Sequence, residues 1–235
     1  MPIRDSIRQT LPALVGWGVL SLAGAAHAES ISRAEVLKIA ETYVNHAWTA
    51  SEKNVRHGKD TAGIEIHTPD RAGGQGDPAV DCWVVGEKNT GVAYKWGGFD
   101  TPERFAAGVR AGRAAGDVYN AEKRRKGGDA VSGDAVGIDC SGFVSRCWKL
   151  AKRQSTATLP DLCQKLPTTA DLRPADVMNT TNGHVLLFVR WLDDDKSRAL
   201  FYEAAPFSKT RATERSLAEL TASGYQPLRY RLIKD

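Results

Sequence analysis

The sequence has little of several features that mark other protein classes. It contains four cysteines in 235 residues and no C-x-x-C pair, so a zinc ribbon is not predicted. The net charge is only +4, without the concentrated basic face of a nucleic-acid binder, so no nucleic-acid partner is expected. Internal repeats, heptads and long low-complexity stretches are absent. These absences leave an ordinary globular chain, long enough for one domain with a sizeable core.

The N-terminus carries the clearest information about the compartment. Arg4 and Arg8 form a short basic segment, an apolar run follows over 11–26, and an A-x-A pattern ends at Ala28. This order predicts a signal peptide over 1–28, cleavage after Ala28, and a periplasmic or secreted protein. The apolar run is too short to span a membrane comfortably, so no stable membrane insertion is expected after signal removal. An uncleaved anchor is the alternative.

The rest of the chain divides into two predicted parts. Residues 29–80 are predicted to hold an N-terminal helix over Ile31–Trp48, with Ser32 as its cap and Glu35 reaching back, followed by a polar, glycine-rich loop or linker over 51–80. Residues 81–235 are predicted to form the main domain.

Short strands and helices are predicted along that domain. Two short strands or extended segments are expected in 81–98, on either side of an EKNTG turn. A helical insertion over about 101–136 follows, with one helix beginning at Pro102 and a second piece over about 116–126. A helix beginning at or near Cys140 comes next. Strands are predicted for HVLLFVRW and RALFYEAA, and the segment 217–233 should hold a short helix and a final strand.

Cys140 is the candidate nucleophile. The N–H groups and dipole at a helix N-terminus favour negative charge, so a cysteine there is readily held as a thiolate. Ser141 and Gly142 are small, which lets a substrate approach the backbone, and the same N–H groups can hold an oxyanion. The alternative is an inert buried cysteine, which is common in cores.

A cysteine nucleophile needs a base, and His184 is the best placed of the four histidines that follow the predicted signal. His46 lies on the first predicted helix, whereas His57 and His67 lie in a polar loop. His184 opens an apolar strand, where rigid backbone holds a partly exposed imidazole. The alternative is a strand-end histidine without a catalytic role.

Glu203 is the candidate for orienting that base. The midpoint between His184 and Glu203 falls inside the turn at 193–195, so a hairpin closing there places the two opposite each other on one face. A carboxylate in that place fixes the imidazole tautomer and raises its basicity. A one-residue slip in register would separate them. Glu203 would then pair with a surface lysine or arginine.

Three blocks carry a family resemblance. GVAYKWGG, GIDCSGFV and GHVLLFV resemble, in that order, blocks of the NlpC-type peptidoglycan hydrolases and span about half of the chain. The resemblance implies a papain-like α+β fold, in which a nucleophile helix packs on a small antiparallel sheet. It also implies cleavage of peptide bonds involving D-glutamate and diaminopimelate in peptidoglycan peptides. Neither a metal nor another cofactor is expected, and the protein is expected to be a monomer.

Carried over by position, the resemblance makes Cys140 the nucleophile, His184 the base and Glu203 the third residue. Tyr94 matches a tyrosine that assists substrate or oxyanion binding. Asp139 and Ser141 flank the cysteine as in relatives that hold the free amine of a stem peptide. From the residues alone, Tyr94 can equally be core packing and Asp139 only a helix cap.

The sequence also departs from the family pattern. Glutamate is less usual in the third position and is similar to that of the CHAP amidases, Ala175 replaces a glycine, and about 41 residues separate Gly98 from Cys140. Two alternatives therefore stay open. One is a CHAP-like amidase that cuts between glycan and stem peptide, and the other is an inactive binding protein on the same fold. Cys140 is expected to stay reduced, whereas disulfide pairing among Cys82, Cys147 and Cys163 is left open.

Overall fold

The computed structural model describes residues 30–70 and 81–235. Two predicted segments lie outside these described residues: the signal peptide with its A-x-A site, and the glycine-rich part of the linker that ends at residue 80.

Five α-helices occur within the described ranges: α1 (Arg33–Val44), α2 (Pro102–Arg110), α3 (Ala121–Lys126), α4 (Cys140–Cys147) and α5 (Leu217–Ala222). The strands of the same ranges are β1 (Ile31–Ser32), β2 (Ala47–Thr49), β3 (His57–Lys59), β4 (Glu65–His67), β5 (Lys88–Thr90), β6 (Ala114–Ala115), β7 (Ala135–Val136), β8 (Cys163–Lys165), β9 (Val177–Asn179), β10 (Val185–Trp191), β11 (Arg198–Ala204), β12 (Thr210–Ser216), β13 (Gln226–Tyr230) and β14 (Ile233–Lys234).

A six-stranded sheet organises the molecule. Its strand order is β12-β11-β10-β9-β13-β8, and every neighbouring pair is antiparallel. Four two-stranded ladders lie beside it, of which β1–β14 and β6–β7 are parallel. Helices and an antiparallel sheet in irregular order make a mixed α+β fold, as the sequence predicted.

The central strands are apolar on both faces because both faces are covered. On β10, Val185 and Leu187 join the core that also contains α1 and α4, whereas Leu186 and Phe188 join a second core with α5. A strand buried on both sides becomes a continuous hydrophobic run rather than an alternating one. The run HVLLFV therefore marks the centre of the sheet, and α4 packs on the face that carries the larger core.

Local side chains define the first helix much as predicted. Ser32 caps α1 by accepting a hydrogen bond from the Glu35 N–H at 3.2 Å. Glu35 does not complete a capping box, since its carboxylate forms an ion pair with Lys149 instead. The helix ends at Val44, earlier than the predicted Trp48, because residues 47–49 pair with β5.

Two expectations about the chain before the insertion need correction: the turn at EKNTG and the loop that begins at residue 51. In 81–98 the strand β5 forms on the segment predicted as a turn, while the flanking apolar runs make only single bridges to other parts of the molecule. Those runs are apolar because they are buried against different neighbours, not because they pair with each other. The segment 51–70 is not a plain loop, since β3 and β4 form an antiparallel hairpin there.

The insertion is compact and closes on itself. The helix α2 begins at Pro102 with Thr101 as its cap, as predicted, whereas α3 is shorter than the predicted second piece and begins after an Asn120 cap. The parallel pair β6–β7 brings the middle of the insertion next to its end. A buried ion pair of 2.7 Å between Lys123 and Asp117 joins α3 to the segment that follows β6. Within the described ranges, no helix has the length and apolar character needed to cross a membrane.

Candidate active site

Cys140 is the first residue of α4, in the position that the sequence predicted. Asp139 caps the helix, since its Oδ1 accepts the Gly142 N–H at 2.6 Å. The Phe143 N–H bonds to the Asp139 carbonyl as the first turn closes. The N–H groups of Cys140 and Ser141 precede that turn, so the helix start presents donors and a positive dipole end beside the thiol. Cys140 itself is only 6% exposed.

A backbone contact at Gly142 holds this helix start in place. A Cβ at Gly142 would lie 2.2 Å from the carbonyl oxygen of Gly98, so only glycine permits the approach. The Asp139 N–H also donates to that Gly98 carbonyl, at 3.3 Å. The WGG turn and the start of α4 are thereby packed backbone to backbone. This contact explains the glycine at 142, and a Cβ at Gly98 would itself lie 2.5 Å from the Gly137 carbonyl oxygen.

His184 is placed by a tight turn between β9 and β10. Asn182 adopts a left-handed conformation there (φ 56°), and the His184 N–H donates to the Thr180 hydroxyl at 2.8 Å. The Thr180 N–H in turn donates to the His184 carbonyl at 2.9 Å. The loop between Thr180 and His184 therefore has three residues, and the Gly183 N–H donates to the Thr180 carbonyl at 3.1 Å. Asparagine is suited to the left-handed position because its side chain tolerates positive φ better than most. The imidazole is 16% exposed.

Glu203 meets His184 in a register that differs from the predicted one. On β10 and β11, Leu187 pairs with Tyr202, so continuing that register places Glu203 beside Leu186 rather than opposite His184. The prediction was therefore wrong by two residues. An even shift keeps both side chains on the same face of the sheet, where diagonal neighbours still meet. The His184 Nε2 to Glu203 Oε2 distance is 2.7 Å.

The tautomer of His184 follows from this hydrogen bond. A carboxylate only accepts, so Nε2 carries the proton that is donated to Glu203, and in the neutral ring Nδ1 is the basic nitrogen. Nδ1 is buried and has no partner within hydrogen-bond geometry among the described residues. Burial alone opposes protonation, but Cys140 and Glu203 outweigh it and raise the pKa of His184 to about 9. The ring is therefore a strong base beside the thiol.

Glu203 is held ionised although it is 1% exposed. Its Oε2 accepts from His184, and its Oε1 lies 3.2 Å from both Arg211 Nε and Arg215 Nη2. Burial opposes ionisation, but His184, Arg211 and Arg215 together lower the pKa of Glu203 to about 2. The pairing with arginine was one alternative for Glu203 in the sequence, and it occurs together with the histidine contact rather than in place of it.

Asp139 and Ser141 are engaged with other protein groups. The Ser141 hydroxyl donates to Asp139 Oδ1 at 3.2 Å, and this oxygen also caps the helix. The other oxygen, Oδ2, accepts from Arg153 Nε at 2.9 Å and from its Nη2. Both oxygens of Asp139 therefore have partners inside the protein.

Tyr94 is buried against the same site. Its backbone bridges to Ile138, two residues before Cys140, and its ring is 2% exposed. Burial, with added influence from Cys140 and Asp139, raises the pKa of the Tyr94 hydroxyl well above its usual value. The hydroxyl therefore stays protonated and is a hydrogen-bond donor.

One cavity of about 840 Å³ gathers most of the predicted residues. Tyr94, Asp139, Cys140, Ser141 and His184 all line it, and Glu203 lies behind His184 outside the lining. A volume of this size is typical of small-molecule and peptide clefts. The structure therefore brings together all six residues singled out in the sequence.

The opposite wall of the cavity comes largely from residues that the sequence did not single out. Tyr119 stands between Trp96 and Phe207, with ring centroids 5.5 and 6.4 Å away. Phe207 is 40% exposed, and Arg124 of α3 lines the same wall. No local pattern marks these residues, because the insertion becomes a wall only when it folds back over the cleft.

Two further cysteines are structural rather than reactive. Cys147 and Cys163 are free thiols, like Cys140, and both are buried. Burial raises the pKa of the Cys147 thiol well above its usual value and that of Cys163 to about 12. Neither is therefore a reactive thiolate. Among residues 30–70 and 81–235, no cluster of three or more histidine, cysteine or acidic residues is arranged to hold a metal ion.

No protein-family model matches the chain, and no curated protein matches it significantly.

Proposed function

We propose that the protein is a papain-like cysteine hydrolase that cleaves peptide or amide bonds in peptidoglycan stem peptides. The observation that carries this proposal is the buried 2.7 Å hydrogen bond from His184 to Glu203, on an imidazole that also interacts with the Cys140 thiol. A nucleophile, a base and a group that orients the base form the minimal set for covalent catalysis of acyl transfer.

The arrangement of elements supports a papain-like architecture. The nucleophile opens a helix that packs on an antiparallel sheet, the base directly precedes β10, and its carboxylate stands on the adjacent strand β11. The three sequence blocks that resemble the NlpC-type hydrolases supply the cysteine, the histidine and Tyr94. Peptidoglycan peptides are proposed as substrate from that resemblance, and the cavity is large enough for a short peptide.

The proposed reaction begins with proton transfer from the Cys140 thiol to His184 Nδ1. The thiolate attacks the scissile carbonyl, and the resulting oxyanion accepts hydrogen bonds from the N–H groups at the start of α4 and from the Tyr94 hydroxyl. The imidazolium, held by Glu203, returns its proton to the leaving amine as the carbon–nitrogen bond breaks. Water deprotonated by neutral His184 then hydrolyses the thioester and restores the thiol.

A CHAP-like amidase is the second candidate, and the carboxylate at Glu203 is the observation that favours it. This candidate uses the same chemistry but cuts between the glycan and the first stem residue. The products separate the two, since an endopeptidase shortens the stem peptide whereas an amidase releases the entire peptide from the sugar.

The test compares Cys140→Ala with Cys147→Ala, because both residues are buried cysteines on α4 and only the first faces the cleft. Purified muropeptides are incubated with each protein, and the products are identified by mass spectrometry. We expect the wild type and Cys147→Ala to release the same products and Cys140→Ala to release none. Equal turnover by both variants would exclude Cys140. No turnover by the wild type, with Cys140 alkylated no faster than a free thiol, would support an inactive binding protein instead.

A further inference from the structure

An ion pair between Arg153 and Asp139 lies next to the nucleophile in the cleft. Arg153 lies 14 residues after Asp139 and bonds to the carboxylate oxygen that the helix cap leaves free. Asp139 is 2% exposed, while the Arg153 side chain is 32% exposed and lines the cavity. The Asp139 carboxylate therefore lies in the protein interior, whereas the Arg153 guanidinium is accessible from the cleft.

The free hydrogen-bonding capacity of this pair lies on the guanidinium. Asp139 Oδ1 accepts from Gly142 and Ser141, and Oδ2 accepts twice from Arg153. A guanidinium has five N–H donors, and Arg153 uses only Nε and Nη2 in bonds to the described residues. Donors therefore remain at the cleft, whereas the carboxylate has no acceptor left for a substrate amine.

The charged side chains that line the cavity also favour an anionic ligand. Its lining contains two guanidinium groups, Arg124 and Arg153, against the single carboxylate of Asp139. Arg124 is exposed and has no ion pair with the described residues. Cys140 and His184 add no net charge as a thiolate–imidazolium pair. An incoming ammonium group would meet this excess of positive charge and would have to displace Arg153 from Asp139.

We infer that the Arg153 end of the cleft binds a carboxylate of the substrate, not a free amine. The ligand class is a peptide that carries an ionised carboxylate next to the scissile bond, such as the α-carboxylate of a γ-linked D-glutamyl residue. This inference rests on the proposed function for its substrate, but its electrostatic content is independent of turnover. Arg153 binds the carboxylate, and Asp139 positions Arg153.

The first test uses the thiol and needs no hydrolysis. Iodoacetate and iodoacetamide both alkylate a thiolate by displacing iodide, and they differ in one negative charge. The rate ratio of the two at Cys140, measured by peptide mapping, cancels any change in thiolate population. We expect Arg153→Gln to lower the iodoacetate preference by about tenfold or more, as for loss of a charge-assisted hydrogen bond, and Arg153→Lys to keep part of it.

Two further variants make this test specific. Asp139→Asn frees Arg153 and is expected to raise the iodoacetate preference, opposite to Arg153→Gln, whereas damage to the fold would move both in the same direction. Arg110→Gln removes an exposed charge from α2 outside the cleft and is expected to leave the ratio unchanged within twofold. An unchanged ratio in Arg153→Gln would overturn the inference.

The second test compares matched stem peptides. One pair carries either the free α-carboxylate or the carboxamide on the D-glutamyl residue, and another carries either a free or an acetylated N-terminal amine. We expect amidation to lower wild-type kcat/KM by about tenfold to a hundredfold and Arg153→Gln to abolish that difference. Acetylation should change it less than threefold, and a strict need for the free amine would overturn the inference. If nothing is hydrolysed while the alkylation ratio behaves as expected, the proposed function fails and the anion site stands.

Discussion

The two walls of the cleft are built in different ways. The wall with Cys140 and His184 is part of the main core, and the charged group behind it, Glu203, is 1% exposed and has three partners. The other wall combines the insertion with rings from outside it: Arg124 of the insertion is exposed, and Tyr119 of the insertion packs against Trp96 and Phe207. The difference teaches that the groups needing accurate geometry are held by core packing, whereas the exposed part of the cleft lining stands on a separate element.

Among the substitutions that compare the two walls, removal of the negative charge of Glu203 should cause the largest loss of activity. Glu203→Gln keeps the size of the side chain but removes the negative charge that orients His184 and favours its protonated form. We expect kcat/KM on muropeptides to fall by about 10²-fold, at the low end of what general acid–base catalysis contributes. Glu214→Gln is the matched control, because Glu214 forms an exposed ion pair with Arg198 on the neighbouring strand. A control that loses as much activity would contradict a specific role for Glu203.

The same pair predicts how activity and stability depend on pH. The pKa of His184 is raised from 6.5 to about 9, so its stabilising contribution is complete below pH 6.5 and is lost as pH rises through about 9. The pKa of Glu203 is lowered from 4.5 to about 2, so its contribution is complete above pH 4.5 and is lost as pH falls through about 2.

Activity should therefore decline on the alkaline side near pH 9, where the imidazolium that protonates the leaving amine disappears. In Glu203→Gln this alkaline limb should move to lower pH, because one of the groups that raise the pKa of His184 is gone. Rates measured from pH 5 to 10 check the shift. An alkaline limb that does not move would show that Glu203 has no influence on the base.

Substitutions at two glycines test how tightly the two walls are packed. Gly142→Ala places a methyl group 2.2 Å from the Gly98 carbonyl oxygen, whereas Gly128 of the insertion has nothing within 4 Å of an added Cβ. We expect Gly142→Ala to lower the free energy of unfolding by about 1–3 kcal/mol, the usual cost of overpacking. Gly128→Ala should change it by less than about 0.5 kcal/mol, as is usual for surface substitutions. Urea denaturation measures both, and similar losses would contradict the contrast between the walls.

The aromatic side of the insertion should affect binding more than chemistry. Tyr119→Ala removes the middle ring of the Trp96–Tyr119–Phe207 row, and aromatic contacts contribute about 0.5–1.5 kcal/mol each. We expect KM to rise by about twofold to tenfold while kcat changes little. Alkylation of Cys140 by iodoacetamide is the control and should stay within twofold of wild type. A large fall in kcat would place Tyr119 with the catalytic wall instead.

The smallest effect is expected at Ala175, where the resemblance predicts glycine. Its φ of 74° is a left-handed conformation that costs a non-glycine residue about 1–2 kcal/mol. In Ala175→Gly the relief of this strain offsets the lost buried methyl group and the freer unfolded chain, so stability should change by less than about 0.5 kcal/mol. Ala107→Gly on the exposed face of α2 should lose about 1 kcal/mol. Equal losses in the two variants would contradict the strain at Ala175.

Much of the catalytic wall was predictable because its determinants are local. The Asp139 cap and the small residues around Cys140 mark a helix start, and the apolar run after His184 marks a central strand. The predicted hairpin register was two residues off, since turn details and a bulge between Phe188 and Arg190 shift the pairing. The parity of the pairing survived, and parity alone decides which side chains share a face.

The rest depended on contacts between distant segments, for which the sequence has no short-range pattern. Arg153 follows Asp139 by 14 residues in an irregular loop, and Arg211 reaches Glu203 only through the pairing of β11 with β12. The strand β5 formed where a turn was expected because its partner is β2, about 40 residues earlier. Tertiary pairing overrides local preference in such cases.

The ladder between β1 and β14 has a consequence for the order of folding. Ile31 pairs with Ile233, and Arg33 forms an ion pair of 2.6 Å with Asp235, so this contact closes a loop of about two hundred residues. Loop-closure entropy makes such a contact late, after the hairpins of the central sheet have formed. The same proximity makes the chain suitable for circular permutation. A short linker from Asp235 to Ile31, with new ends opened in the exposed turn at Asp194, would preserve every strand pair of the sheet.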